Sequence, residues 1–263
     1  MARIDERIFF MLTVFTSLFV ALNVQENLGV VYGLMGLFAM GGIVLDELFG
    51  NRTQIRIESG SIPRLRALLV GIGGYFAVLF SSQILIPLGV KAGLITQSVS
   101  LPTLYSVVQL YSQTTLAFTG NIIFYFITFG FLIPMIETRA WVILFEFFVD
   151  VFKLKITLKS FKIWSIMSIG GIFFYLFHLT AKGVSNDAAL AVVFIFMIVT
   201  YIIVIVEKQS LDALLMHIFA NSISLAFTYN LIPQLGTILY VVAGISVVLI
   251  AVTKIFKLEV IKI

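Results

Sequence analysis

Eight stretches of the chain are apolar over roughly the length that crosses a bilayer, at 8–24, 28–45, 67–90, 117–152, 161–181, 187–206, 210–230 and 233–253. A helix rises about 1.5 Å per residue and the hydrocarbon core is about 30 Å thick, so a crossing takes about 20 residues. Composition agrees. Charged residues are 11% and hydrophobic ones 60% of 263 positions, whereas a soluble domain carries about 25% charged residues. A surface built from these segments cannot face water. The reading is an all-α, polytopic membrane helical bundle of about eight transmembrane helices, forming one transmembrane domain over 1–263. The first span lacks a small-residue cleavage site and is followed almost at once by a second, so it reads as a membrane helix and not as a signal peptide.

The stretch 117–152 is long for one crossing and short for two, and it contains Pro134, which removes a backbone donor and kinks a helix. Charge decides between the alternatives. With one crossing, the inner segments hold Arg3, Arg7, Arg52, Arg56, Arg64, Arg66, Lys153, Lys155, Lys159, Lys162, Lys208, Lys254, Lys257 and Lys262, which is 14 of the 17 cations. Lys91 and Lys182 lie outside, and Arg139 lies within a span. Two crossings would move the Lys153–Lys162 cluster outside. The tendency of cations to stay cytoplasmic therefore favours eight spans with both termini in the cytoplasm. The loop 46–66 is charged and cytoplasmic in this scheme. Residues 91–116 are mostly uncharged and lie on the outer surface or re-enter the membrane.

The absence of Cys excludes disulfides, thiolate nucleophiles and thiolate metal sites. No basic run suggests a nucleic-acid partner. What remains for chemistry is a small polar set inside the spans, where an ionisable residue costs about 2.5–3.5 kcal/mol on insertion scales. Glu137 follows Pro134, His178 closes FFYLFH, and His217 and Asn221 lie in LLMHIFANS. His217 and Asn221 are four apart and share a helical face, as do Phe174 and His178. Singly, each is as well explained by a hydrogen bond between helices. Together a carboxylate, two imidazoles and an amide form a water-activating set: Glu as general base, His sharing or shuttling the proton, and His with Asn donating to an oxyanion. Measured from the inner helix ends, His217 lies about 10 Å deep and Asn221 about 16 Å, against about 22–24 Å for Glu137 and His178. A kink at Pro134 or tilted helices would have to close that gap.

These residues carry a resemblance. Phe174-Tyr-Leu-Phe-His178, His217-Ile-Phe-Ala-Asn221, the approach VEKQSLDALLMHIFAN and the spacing Pro134-x-x-Glu137 resemble the CPBP intramembrane protease family, which includes type II CAAX prenyl endopeptidases and bacteriocin-immunity (Abi) proteins. The resemblance covers about residues 125–230. The family's first motif is Glu-Glu-x-x-x-Arg; here its second Glu is Thr138 and its Arg is Val142. Those two family residues can pair across one helical turn, so losing both together strands no charge.

The resemblance implies an intramembrane endopeptidase of a prokaryotic cytoplasmic membrane, with Glu137, His178, His217 and Asn221 as catalytic residues. Glu137 would activate a water with help from His178, while His217 and Asn221 stabilise the oxyanion. The scheme requires no cofactor; zinc held by Glu137, His178 and His217 is a lesser alternative. The implied partners are membrane lipids and a membrane-tethered peptide or protein, prenylated or not. Two competing readings remain. One is a catalytically silent relative acting as immunity protein, chaperone or subunit of a membrane complex. The other is a small proton-coupled transporter. Glu146, Asp150 and Lys153 read as interfacial or locally paired, Asp212 as a carboxylate at a helix start, and Gly170 and Gly171 as packing residues.

Overall fold

The structure, a computed structural model, describes residues 6–49, 64–96, 103–114, 122–208, 210–231, 236, 238–239 and 241–245. All regular structure among them is helical: α1 (Glu6–Asn23), α2 (Glu26–Phe49), α3 (Arg64–Lys91), α4 (Leu104–Ser112), α5 (Ile122–Ile127), a π-helical turn (Thr128–Leu132), α6 (Ile133–Val151), α7 (Phe161–Thr180), α8 (Asp187–Glu207) and α9 (Leu211–Thr228). Apart from α4, which falls in the segment 91–116, these helices lie within a few residues of the apolar stretches read from the sequence. The span expected at 233–253 falls largely outside the described residues, as does most of the loop expected at 46–66.

Four described helices, α3, α7, α8 and α9, are long and apolar enough to cross a membrane, which marks the chain as a membrane protein. Their surfaces follow the same logic. On α3, Tyr75, Leu79, Ser82 and Ile86 are fully buried, while Phe80, Ile84 and Leu88 are 42%, 64% and 54% exposed. An outward apolar stripe at helical spacing suits lipid, where a soluble helix would place charge. The most apolar helix, α8, packs against α3, α7 and α9. Asn186 caps its start, the side-chain oxygen accepting from Ala189 N at 3.1 Å, and Lys208 ends it in a left-handed conformation. Gly170 of α7 lies where a Cβ would meet the Tyr201 ring of α8 at 2.8 Å, so this glycine sets how closely α7 approaches. α1 and α2 form a hairpin joined to the rest through α2 on α6 and α1 on the π-helical turn.

The stretch around Pro134 runs without a break from Ile122 to Val151. Its irregularity has a local cause. Ile133 N–H donates to Thr128 O, five residues back. In that register the next donor would be Pro134, which has no N–H, and the next acceptor Phe129 O. Asn221 of α9 donates to Phe129 O at 2.8 Å instead. The helix tolerates its proline because a neighbouring side chain supplies the missing donor.

Polar contacts define the two ends of the bundle. At one end, Thr96 donates to Asp187 Oδ2 through N and Oγ1, both at 2.6 Å, and Asn186 Nδ2 donates to Gln113 Oε1 at 2.7 Å. These bonds tie the C-terminal ends of α3 and α4 to the start of α8. At the other end, Arg66 pairs with Glu207 at 2.7 Å, joining the start of α3 to the end of α8, and the lysine-bearing connection 152–160 runs from α6 to α7.

Candidate functional site

Glu137 lies one turn beyond Pro134 on α6 and is fully buried. Its Oε1 accepts from the Tyr32 hydroxyl of α2 at 2.6 Å and lies 2.9 Å from Lys182 Nζ. Its Oε2 makes no hydrogen bond; the nearest imidazole nitrogen is His217 Nε2 of α9, 3.5 Å away. One carboxylate oxygen is thus fixed by a phenol and an ammonium, and the other faces a histidine across a gap.

The two histidines are oriented by different means. His178 Nδ1 is 2.9 Å from Phe174 O, one turn back on α7. A carbonyl only accepts, so this nitrogen carries the proton, and Nε2 presents its lone pair to Lys182 Nζ at 3.0 Å. His217 Nδ1 is 3.0 Å from Thr138 Oγ1. If the hydroxyl donates, Nε2–H is the hydrogen that points at Glu137, the arrangement a carboxylate prefers. The side chain at the position where the resembled family carries its second Glu is therefore a neutral group that orients His217. Val142, at the position of that family's Arg, is fully buried in the apolar core.

Lys182 was expected in an external loop. Its side chain is only 6% exposed and turns back into the bundle between Glu137 and His178. The pairing is intelligible from sequence after the fact, since His178 and Lys182 are four apart at the end of α7 and share a face. Tyr32 and Tyr111 carried no comparable signal, because their partners are more than a hundred positions away.

Asn221 is also committed. Its Oδ1 accepts from the Tyr111 hydroxyl at 3.0 Å, and its Nδ2 donates to Phe129 O. The amide thus secures α4 and the π-helical turn to α9, and an oxyanion could use only its second N–H. Asn221→Ala is expected to lower unfolding stability by about 1–3 kcal/mol, because it removes the amide's bonds to Phe129 O and to the Tyr111 hydroxyl inside the bundle. Denaturant unfolding of purified protein measures this, and a variant as stable as the wild type would remove the helix-repair role.

Tyr32, Tyr111, Thr114, His178, Lys182, His217 and Asn221 surround a hollow of about 10 Å³, enough for about one water. Glu137 stands one contact behind this wall, touching Tyr32, Lys182 and His217. Of the four residues singled out in the sequence, three line the hollow and the fourth adjoins it, despite their unequal expected depths. Both His178 nitrogens are engaged, an ammonium sits against the carboxylate, and no group of three or more potential ligands is suitably placed among the described residues.

Asp212 lies in the first turn of α9, as expected, and is fully buried; Glu146, expected at the interface or locally paired, is 4% exposed and thus lies inside the bundle.

Fold and site together define a helical membrane protein with a buried Glu–Lys–His–His cluster at the meeting of α2, α6, α7 and α9. In comparison with known proteins, no family model, curated protein or solved structure matches the chain.

Proposed function

We propose that the chain is an intramembrane hydrolase that uses a glutamate-activated water to cleave a peptide bond in a membrane-tethered substrate. The observation that carries this is the state of Glu137: one oxygen held by Tyr32 and Lys182, the other unbonded and facing His217 beside a water-sized hollow. The resemblance of residues 125–230 to the CPBP proteases points the same way. Water would attack the scissile carbonyl carbon and pass a proton to Glu137 Oε2. His217 Nε2–H would stabilise the oxyanion, and collapse would break the C–N bond as the proton returns to the leaving amine.

The protein would sit in a prokaryotic cytoplasmic membrane with eight spans and both termini cytoplasmic. The unbroken run from Ile122 to Val151 supports a single crossing there. Reporter fusions after Lys162 and at the C-terminus should both read as cytoplasmic. An external signal after Lys162 would overturn the topology.

The test of function is cleavage by protein reconstituted in vesicles with membrane-tethered peptides, prenylated and unmodified, read by mass spectrometry. Glu137→Gln should reduce turnover by about 10²–10⁴-fold, since an amide cannot take the proton. Unfolding curves on the same sample separate this from loss of fold, because the neutral amide no longer compensates Lys182. Full activity in Glu137→Gln would sink the mechanism.

A specific observation favours a second reading, the catalytically silent relative. Lys182 already neutralises Glu137, and the hollow as it stands is far too small for a peptide. Folded wild-type protein that cleaves neither class of peptide would favour that reading.

A further inference from the structure

A hollow of one water must open before any peptide can reach it, and its surroundings differ in what separates them from solvent. Two of its lining residues are close neighbours of the surface. Thr114 is buried but follows exposed Gln113 at the end of α4, and Lys182 is followed by exposed Gly183 and, three positions on, by exposed Ser185. Both belong to the end of the bundle where Asn186 bonds Gln113 and Thr96 bonds Asp187. That end bears Lys91 and Lys182. The opposite end bears Arg66, Lys153, Lys155, Lys159, Lys162 and Lys208 among the described residues. Cations are retained on the cytoplasmic side, so the hollow lies beneath the face turned away from the cytoplasm.

We infer that the site opens to the outer side of the membrane, between Lys182 and Thr114, and that its substrate is a polypeptide segment at the outer membrane surface. The word substrate rests on the hydrolytic reading above; the position of the mouth does not. Lys182 is the movable part of that wall. It has a flexible four-carbon stem, it is held by Glu137 Oε1 and His178 Nε2, and it belongs to the connection leading to α8. Swinging the ammonium outward frees Oε1 of one of its two partners and exposes His178 Nε2 in one movement. Thr114 is anchored through Oγ1 to Tyr111 O at 2.6 Å, and Tyr111 in turn bonds Asn221, so the α4 side of the mouth is the fixed one. A carbonyl oxygen entering here meets the ammonium before it reaches Glu137.

The chain contains no Cys, so single introduced thiols report without background. A charged, membrane-impermeant maleimide is applied to intact spheroplasts expressing Gln113→Cys, Ser185→Cys, Lys155→Cys or Lys159→Cys. The first two should label, and the last two only after permeabilisation. Thr114→Cys should be protected in the otherwise wild-type chain and should label from outside once Glu137→Gln and Lys182→Ala are added together, a change that removes the ammonium without stranding its partner. Ser185→Cys in that same double background checks that this face is still outside, and an unfolding curve of the double variant checks that the fold persists. The inference is overturned if Gln113→Cys and Ser185→Cys label only after permeabilisation. It is equally overturned if Thr114→Cys stays protected while Ser185→Cys labels in the double background. Cleavage is not measured, so a silent protein leaves these labels unchanged. A wild-type chain that cleaves peptide, with Thr114→Cys still protected in the double background, would keep the hydrolytic reading and lose this one.

Discussion

Lys182→Met should destabilise the protein by about 3–5 kcal/mol, the usual effect of removing one member of a buried ion pair and leaving the other uncompensated. Met keeps the length and apolar stem of the side chain, so the loss isolates the ammonium. The side chains of Lys182 and Glu137 are 6% and 0% exposed, and water cannot take over the role of counter-ion. Glu137→Gln combined with Lys182→Met should recover most of the loss, because a neutral pair of similar volume leaves no uncompensated buried charge. Denaturant unfolding of the two single variants and the double variant gives the coupling energy directly. A Lys182→Met protein within about 1 kcal/mol of wild type would mean that the pair does not hold α7 to α6.

Thr138→Glu should be as damaging, by about 3–5 kcal/mol relative to Thr138→Gln, which adds the same volume without charge. Thr138 is 4% exposed and its hydroxyl orients His217. A carboxylate there would adjoin Glu137, whose compensating cation, Lys182, already serves that residue. Val142, one turn further on, is fully buried among apolar side chains and offers nothing. Both variants should be compared by thermal and denaturant unfolding at neutral pH. Equal stabilities would show that His217 takes up a proton and neutralises the added charge. In that case Thr138 would be a tolerated replacement and not a necessary one.

These two expectations depend on information of different kinds. That the chain is helical and where its helices begin and end could be read locally, because hydropathy and rise per residue bound a span without reference to its neighbours. Hence α3, α7, α8 and α9 fall where the apolar runs lie. The polar residues worth watching were legible for the same reason: Glu137, His178, His217 and Asn221 are expensive where hydropathy places them. The i, i+4 spacing of His217 with Asn221 also fixed their common face.

What sequence could not supply was the partner of each group. Lys182 looked like a loop cation because hydropathy counts its charge and ignores its reach; only the placement of α7 against α6 turns it inward to Glu137. Tyr32 looked like one of many aromatic residues until α2 set its hydroxyl 2.6 Å from that carboxylate. Asn221 could be assigned to catalysis from its spacing, yet the fold engages its Nδ2 at Phe129 O, on the irregular turn that precedes Pro134. Hydropathy and helical periodicity are properties of consecutive residues, so the chain determined its helices and their polar faces alone. Hydrogen bonds and ion pairs between helices depend on tilt, rotation and depth, which are decided jointly by all the helices in contact, and those are visible only in the tertiary structure.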